Sequence, residues 1–344
     1  MALLNPLKFR TPDFIKKHGP VLTKNDVPYP AELVFNAGIT KYNNKYVMVF
    51  RNDYDFCRQD FVDFYAGISD NTTPKTKIGL AFSDDGIKWS VEPAPCWEAE
   101  ELRAKDPEVR RVYDPRLTVI DGKCYMCFAM DTRHGLRGGI AVTEDFSKFD
   151  ILSLTAPDNR NMVLFSEKIN GMFMRLERPM PVYSRGANSE AFDLWSSMSP
   201  DLEFWGKTKL VLAKEQVPFA GSKIGPGAPP VKTQDGWLCT YHAVKNVDED
   251  LCSWHRNWRK SYLGGLMLLD LNDPTKIISI AEKPLLMPDR DYELDGFRGS
   301  TIFPGGMILE DSGEVKIYYG AADTVECLAT CDVNDLLKFV KNEI

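Results

Sequence analysis

The sequence predicts an all-β chain, a five-bladed β-propeller with short terminal helices, on three observations. One phrase recurs five times: a polar turn with Gly or Asn, a short aromatic-rich strand, then a second strand that often ends near a turn and a Trp. The turns carry hairpin chemistry, and the strand runs are rich in β-branched and aromatic residues. Helical periodicity is confined to the ends, at residues 12–18 and at 332–341, where Leu336, Leu337 and Val340 form the apolar stripe. A β-sandwich of hairpins is the competing architecture, but it has no reason to repeat one phrase five times. An α/β fold fits less well, since neither a GxGxxG nor a Walker loop is present.

The first unit runs from Tyr42-Asn-Asn-Lys45 into Tyr46-Val-Met-Val-Phe50, then Ile78-Gly-Leu-Ala-Phe82 and Ser83-Asp-Asp-Gly86 before Trp89. The second runs from Ile120-Asp-Gly-Lys123 through residues 124–130 to Gly139-Ile-Ala-Val142 and Thr143-Glu-Asp-Phe146. The third is Lys168-Ile-Asn-Gly171 into Met172-Phe-Met-Arg-Leu176, then Phe192-Asp-Leu-Trp195 and Met198-Ser-Pro-Asp-Leu202 before Trp205. The fourth is Thr233-Gln-Asp-Gly236 into residues 237–242, then 264–271. The fifth is Asp311-Ser-Gly313 into Val315-Lys-Ile-Tyr-Tyr319, then a strand near 325–330. The turns are 78, 49, 65 and 77 residues apart, so each unit has room for a four-stranded blade plus loops of unequal length. One domain is expected over 1–344, with 1–27 as an N-terminal extension and 331–344 as the C-terminal helix.

Of the 344 residues 44% are hydrophobic and 26% charged, enough for a packed core and against global disorder. The net charge is −7, from 42 basic and 49 acidic residues, which argues against a nucleic-acid partner. The longest apolar runs, such as 263–269, fall far short of the ~20 residues of a membrane span. The first ten residues lack an apolar signal core, so a cytoplasmic protein is expected. The eight cysteines read as free thiols in that setting. Cys124 and Cys127 have CxxC spacing but lie in a strand-like run, where residues three apart face opposite ways. That argues against a zinc knuckle or a redox turn. The four histidines, at 18, 134, 242 and 255, have no metalloenzyme spacing, so no metal and no cofactor are expected.

Polar groups interrupt the apolar strands at Phe35-Asn-Ala-Gly38, Phe50-Arg-Asn-Asp-Tyr54, Val112-Tyr-Asp-Pro-Arg116, Asp158-Asn-Arg-Asn161, Arg175-Leu-Glu-Arg-Pro179, Ser222-Lys-Ile-Gly-Pro226, Thr240-Tyr-His242 and Tyr318-Tyr-Gly-Ala-Ala-Asp323. In a propeller, loops from every blade converge at one end of the axis, where such residues can build one site. Taken singly, each reads equally as a salt bridge or cap; Asp114 before Pro115 suits a turn, and His242 suits a satisfied core histidine. Arg175 and Arg178 are three apart, so at most one of them points at a given site.

Through the combination of Phe35-Asn36, Val112-Tyr-Asp-Pro-Arg116, Arg178-Pro179, Lys223-Ile-Gly-Pro-Gly227, Tyr241-His242 and Tyr318-Tyr-Gly-Ala-Ala-Asp323, the chain resembles glycoside hydrolase family 130, the inverting β-mannoside phosphorylases and related β-mannosidases, over roughly residues 28–323. The resemblance implies a five-bladed propeller. It implies Asp114 as the catalytic acid, beside Tyr113. It implies a phosphate pocket of Arg160, Asn161, Arg178, Lys223 and His242, and sugar contacts from Asn36, Arg51 and Asp323. In this family the proton passes to the leaving oxygen through the mannosyl 3-hydroxyl. Ala37 departs from relatives with a serine in the donor site, and the long segment 52–76 has no clear counterpart.

The chemistry of these residue types agrees with that reading. A hydrolase needs a second carboxylate to activate water, whereas inorganic phosphate is already an anionic nucleophile and needs cations to hold it. The expected reaction is cleavage of a small β-mannoside by phosphate, with inversion, to α-D-mannose 1-phosphate. A β-mannosidase of the same family and a non-catalytic carbohydrate-binding propeller are the alternatives. Trp254, Trp258 and Tyr262 suggest an acceptor platform in the loop 248–262, or else rim or dimer packing. Linkage, acceptor and homo-oligomeric state stay open.

Overall fold

The computed structural model describes residues 9–104, 106–186 and 190–344. Five antiparallel sheets follow one another along the chain. After β1 (Lys16–Leu22), the first blade is β2 (Leu33–Tyr42), β3 (Lys45–Tyr54), β4 (Lys75–Ser83) and β5 (Ser90–Val91), with β6 (Trp97–Glu98) also on β4. The second is β7 (Val109–Ile120), β8 (Lys123–Thr132), β9 (Gly135–Thr143) and β10 (Asp150–Leu154). The third is β11 (Asn159–Leu164), β12 (Phe173–Pro179), β13 (Leu194–Ser199) and β14 (Gly206–Leu212). The fourth is β15 (Ile224–Pro226), β16 (Val231–Lys232), β17 (Trp237–Asn246), β18 (Lys260–Leu269) and β19 (Ile277–Ile280). The fifth is β20 (Ile302–Leu309), β21 (Glu314–Ala321) and β22 (Val325–Asp332), with β1 as its edge. The chain is therefore the five-bladed propeller that the repeat count predicts.

The hairpins form where the polar turns stand. Asn43 and Asn44, Asp121 and Gly122, and Asn170 and Gly171 are consecutive left-handed pairs, with φ between 50° and 79°. Such pairs match the twist of the flanking strands, and Asn, Asp and Gly tolerate them best. The turns that follow the third strand of each of the first three blades are also alike. Ser83 Oγ accepts from Gly86 N at 2.9 Å, Thr143 Oγ1 from Phe146 N at 2.8 Å, and Ser199 Oγ from Leu202 N at 2.8 Å.

One terminal helix is present and the other is not. Helix Val333–Val340 starts at Asp332, whose side chain accepts from Asn334 N at 2.8 Å, and it buries Leu336, Leu337, Phe339 and Val340. The helix expected at 12–18 is instead turn and strand: β1 pairs with β22 and closes the ring. Gly19 and Pro20 stop a helix there, and proline is tolerated on an edge strand with bulges on either side. Residues 16–22 are thus part of a blade rather than an extension.

Apolar packing lies between neighbouring blades. Trp97 meets Phe128 at 4.9 Å between the first and second, and Phe165 meets Trp237 at 5.1 Å between the third and fourth. Cys124 and Cys127 project into different apolar clusters, as the strand period requires. The axis itself is polar. Arg116, buried there, donates to Asn36 O at 3.0 Å, Pro115 O at 2.6 Å and Gly227 O at 3.2 Å, and so ties three blades together. Gly38 has to be glycine, because a Cβ would stand 2.7 Å from Arg116 Cα.

Candidate active site

The innermost strands of the first three blades carry the same fault at the same place. Register breaks between Phe35 and Gly38 in β2, between Tyr113 and Arg116 in β7, and between Arg160 and Val163 in β11. The first residue inside each break is left-handed: Asn36 (φ 53°), Asp114 (φ 52°) and Asn161 (φ 61°). Asn and Asp are the non-glycine residues that accept this conformation most readily. A bulge re-aims its side chain, and here all three line one axial cavity of about 290 Å³. Asp323 (φ 50°), just past β21, lines it from the fifth blade.

Asp114 is held by two donors, Asn36 Nδ2 at 3.1 Å and Arg51 Nη1 at 3.3 Å, both on Oδ1. Arg51 is fixed by Asp53, which takes its Nη2 at 2.6 Å and its Nε at 3.0 Å; Thr76 Oγ1 donates to the same carboxylate at 2.6 Å. Burial works to raise the Asp114 pKa, but Arg51, Arg116, Arg160 and the Asn36 amide together hold it below the ordinary aspartate value. Asp323 is the opposite case. Burial wins over Arg298, whose Nη1 lies 3.1 Å away, and over Arg51, so its pKa is raised. Two aspartates in one cavity therefore have diverging proton affinities.

The third and fourth blades supply cations. Arg160 Nη1 lies 3.3 Å from the Tyr113 hydroxyl, which itself donates to Asp131 at 2.7 Å. Arg178 is buried and lines the cavity, while Arg175 turns away to Glu177 at 2.9 Å and Ser197 at 2.9 Å. Lys223 Nζ is 3.1 Å from Glu190, which is shared with Lys260 at 2.6 Å. Burial and neighbouring Arg178 push Lys223 down to about 7, against the raising effect of Glu190. Arg160 Nε, Arg178 Nε, Asn36 Oδ1 and Asn161 Oδ1 are buried, and no group among the described residues satisfies them. Buried polar atoms of native proteins are normally satisfied, so this set suits a polar, anionic ligand.

Nine of the ten residues singled out from sequence line this cavity: Asn36, Arg51, Tyr113, Asp114, Arg160, Asn161, Arg178, Lys223 and Asp323. His242 is the exception and stands behind the wall. Its Nδ1 faces Pro226 O at 3.2 Å, which makes Nδ1 the donor and leaves Nε2 to accept from Arg178 Nη1 at 2.7 Å. Burial, Arg178 and Lys223 depress its pKa well below the ordinary histidine value. Gly225 permits the arrangement, since a Cβ there would stand 2.6 Å from His242 Cε1 and 2.9 Å from Arg178 Cδ. His242 is thus placed to orient Arg178.

Several lining residues escape the sequence pattern. Arg111 directly precedes the Val112–Arg116 segment, and Arg298 lies between glycines in Gly296-Phe-Arg-Gly299; neither position breaks an apolar strand. Thr72, Thr73 and Pro74 come from the long segment 52–76. Of the three aromatics considered for the acceptor side, Tyr262 lines the cavity and Trp258 stacks on it at 6.3 Å and 7°. Trp254 packs instead against Phe56, Phe61 and Phe297. Ala37 lies in the core, its amide donating to buried Glu326 at 3.1 Å.

The comparisons with known proteins point one way. Residues 8–342 match the family Glyco_hydro_130, described as beta-1,4-mannooligosaccharide phosphorylase. A beta-1,4-mannooligosaccharide phosphorylase of Ruminococcus albus is 30% identical over 333 residues, 94% of this chain and 89% of that protein. A beta-1,2-mannobiose phosphorylase of Listeria innocua is 32% identical over 263 residues, 76% of this chain and 67% of that protein. The solved complex of the Listeria innocua beta-1,2-mannobiose phosphorylase with beta-1,2-mannobiose superposes with a TM-score of 0.77 at 25% identity, over 95% of this chain and 99% of that one. With a match spanning nearly its whole length and the five-bladed fold in common, the chain belongs to glycoside hydrolase family 130.

Proposed function

We propose that this enzyme cleaves β-mannosides with inorganic phosphate by a single inverting displacement, releasing α-D-mannose 1-phosphate and needing no cofactor. One observation carries the choice of phosphate over water. Arg160, Arg178 and Lys223 converge from the third and fourth blades, and the carboxylates that line the cavity, Asp114 and Asp323, stand on the second and fifth. A hydrolase would need a carboxylate on the nucleophile's side to activate water. Three cations there suit an oxyanion instead.

In this reading Asn36, Arg51 and Asp323 hold the mannosyl ring. Phosphate sits on Arg160, Asn161, Arg178 and Lys223. One of its oxygens forms the new bond to the anomeric carbon, while the bond to the leaving oxygen breaks and that oxygen takes a proton supplied by Asp114. One displacement converts a β-linkage into an α-phosphate. Asp114 has to be protonated for this, yet the surrounding cations hold it ionised. Bound phosphate brings the negative charge that offsets them, so Asp114 gains proton affinity as the nucleophile arrives.

The test is sugar release from β-1,4- and β-1,2-mannobiose with and without phosphate, with the first product identified by proton and phosphorus NMR. The expected product is the α-phosphate, formed only when phosphate is present. Equal release of free mannose without phosphate would establish the hydrolase reading instead.

A further inference from the structure

Asp323 stands just past β21, and the residues on either side of it are bonded to one short segment, Gly296-Phe-Arg-Gly299. Phe297 N donates to Thr324 Oγ1 at 3.0 Å, and Arg298 N donates to Ala322 O at 3.0 Å. Gly296 permits the approach, since a Cβ there would stand 2.3 Å from Thr324 Oγ1. From that segment Arg298 Nη1 reaches Asp323 Oδ2 at 3.1 Å. We propose that Arg298 is the positioning residue for Asp323, and that the first-blade insertion 55–74 holds Arg298 in turn through an aromatic cluster. This inference rests on the reading above, in which Asp323 holds the mannosyl ring.

Arg298 has little freedom to turn elsewhere. Its guanidinium carbon lies 5.8 Å from the Trp258 ring centre and 5.3 Å from that of Phe297, both within cation–π reach. Trp258 is fixed by its Nε1, which donates to Gly299 O at 2.7 Å. Phe297 lies edge-on to Phe56, Phe61 and Trp254, with ring centres 5.6–5.8 Å apart. Such edge-to-face pairs favour one arrangement of rings over others. Phe56 and Phe61 belong to the insertion, and Phe61 is the buried residue of its helix, Arg58–Tyr65. Both ends of that helix are tied to the same surroundings. Arg58 Nη1 lies 3.0 Å from Asp295 Oδ2, and Arg256 N donates to the Tyr65 hydroxyl at 3.2 Å.

Charge is the second half of the argument. Burial works against the ionised form of Asp323, and Asp114 adds to that; Arg298 first and Arg51 second oppose it. The Tyr262 hydroxyl of β18 also lies within the field of this carboxylate. Arg298 is thus the counter-charge in direct contact. An ionised carboxylate only accepts, which suits paired sugar hydroxyls, whereas a protonated one gives up an acceptor site. The pairing also sets Arg298 apart from the cations assigned to phosphate. Arg160 and Arg178 keep Nε atoms with no partner among the described residues, while Arg298 turns its charge to a carboxylate.

The experiment measures the mannobiose Kd by calorimetry without phosphate, for the β-1,4- or β-1,2-linked disaccharide that the wild type cleaves faster, and KM for phosphate at saturating disaccharide. Arg298→Gln should weaken mannobiose binding about tenfold or more and leave the phosphate KM within about twofold. Binding should weaken as pH falls and Asp323 takes up a proton, and in Arg298→Gln this should begin about one pH unit higher than in the wild type. Arg298→Lys keeps the charge and should restore the pH at which weakening begins, but recover only part of the affinity, because it lacks the planar fork. Phe61→Leu, which touches neither Asp323 nor the cavity, should weaken mannobiose binding about threefold or more with the protein still folded by thermal unfolding. A higher phosphate KM in Arg298→Gln with mannobiose binding unchanged would make Arg298 a phosphate ligand and overturn the proposal, as would a pH dependence identical to that of the wild type. Wild-type affinity in folded Phe61→Leu overturns the part given to the insertion. Each of these leaves the phosphorylase reading intact. Wild-type release of free mannose without phosphate overturns that reading instead and leaves the binding results to decide the role of Arg298.

Discussion

Replacing His242 by Phe would remove one hydrogen-bond acceptor and one donor while keeping a ring of similar shape. The imidazole is buried, lies 4.5 Å from the Phe303 ring and is stacked at 6.2 Å from Tyr262, contacts that a phenyl ring can keep. What disappears is the 2.7 Å bond from Arg178 Nη1 and the 3.2 Å contact to Pro226 O. A hydrogen bond to a charged group contributes about 1.5–3 kcal/mol. At about 1.4 kcal/mol per tenfold, a guanidinium left without its guide should weaken phosphate use by roughly 10- to 150-fold. The assay is initial rate against phosphate at saturating mannoside, with thermal unfolding in parallel to separate positioning from folding. The expected result is a higher KM for phosphate and an unchanged affinity for the mannoside. His242→Gln, whose amide oxygen can take the place of Nε2, should recover part of the loss. An unchanged phosphate KM in His242→Phe would refute the argument. So would a wild-type phosphate dependence with an inflection near the ordinary histidine pKa that the variant abolishes, because that would make His242 a cationic ligand.

Three further outcomes follow from the same geometry. Asp114→Asn should lose about 10²- to 10⁴-fold in kcat on mannobiose and much less on an activated aryl mannoside, the comparison that reads out general acid catalysis. Lys223, at about 7, carries its charge below that pH and loses it above; phosphate dianion draws the proton back. Calorimetry at pH 8 in buffers of different ionisation enthalpy should therefore show proton uptake on phosphate binding, and Lys223→Met should reduce it; equal uptake in both would exclude Lys223 as a source. Buried Glu326, raised to about 8 by burial against the Ala37 amide and Arg116, keeps a proton that the unfolded chain releases from about pH 4.5 upward. Its contribution to stability thus falls as pH rises from about 4.5 to about 8, and Glu326→Gln should gain in Tm on the wild type across that window; a loss there would show the carboxylate to be charged when folded.

How much of this could be read from the chain depends on which forces are local. Hairpin turns are local, and Asn43-Asn44, Asp121-Gly122 and Asn170-Gly171 mark the blades because few other residues accept two left-handed positions in a row. The strand period is local too, and it separates Arg178 from Arg175. Strand β1 is not local. It exists because β22, some three hundred residues later, offers a free edge, and no pattern within residues 12–22 records that partner. The depth of a side chain is equally non-local: alternation puts His242 on the axial face, but Gly225 and Arg178, from other strands, decide that it stops short of the cavity.

The site residues lie between these extremes, and the bulges explain why. An Asn or Asp inside an apolar strand is disfavoured there, so Asn36, Asp114 and Asn161 stand out in sequence as faults. The structure gives all three one backbone conformation at one place in three successive blades. A repeated fold thus supplies the same left-handed socket three times, and the neighbours differentiate the occupants. Beside Arg51, Arg116 and Arg160 the socket holds a carboxylate whose charge depends on what else is bound. In the first blade it holds an amide that donates to that carboxylate at 3.1 Å. In the third it holds an amide whose oxygen is buried and unmatched, next in the chain to one of the cations. Exchanging Asn161 for Asp would put a second carboxylate among Arg160, Arg178 and Lys223, where it would neutralise the cations that the anionic nucleophile needs. Phosphate use should then fall more steeply than in Asn161→Ala, which removes the amide without adding charge. Equal losses in the two, measured as kcat/KM for phosphate, would mean that the socket in the third blade contributes shape alone.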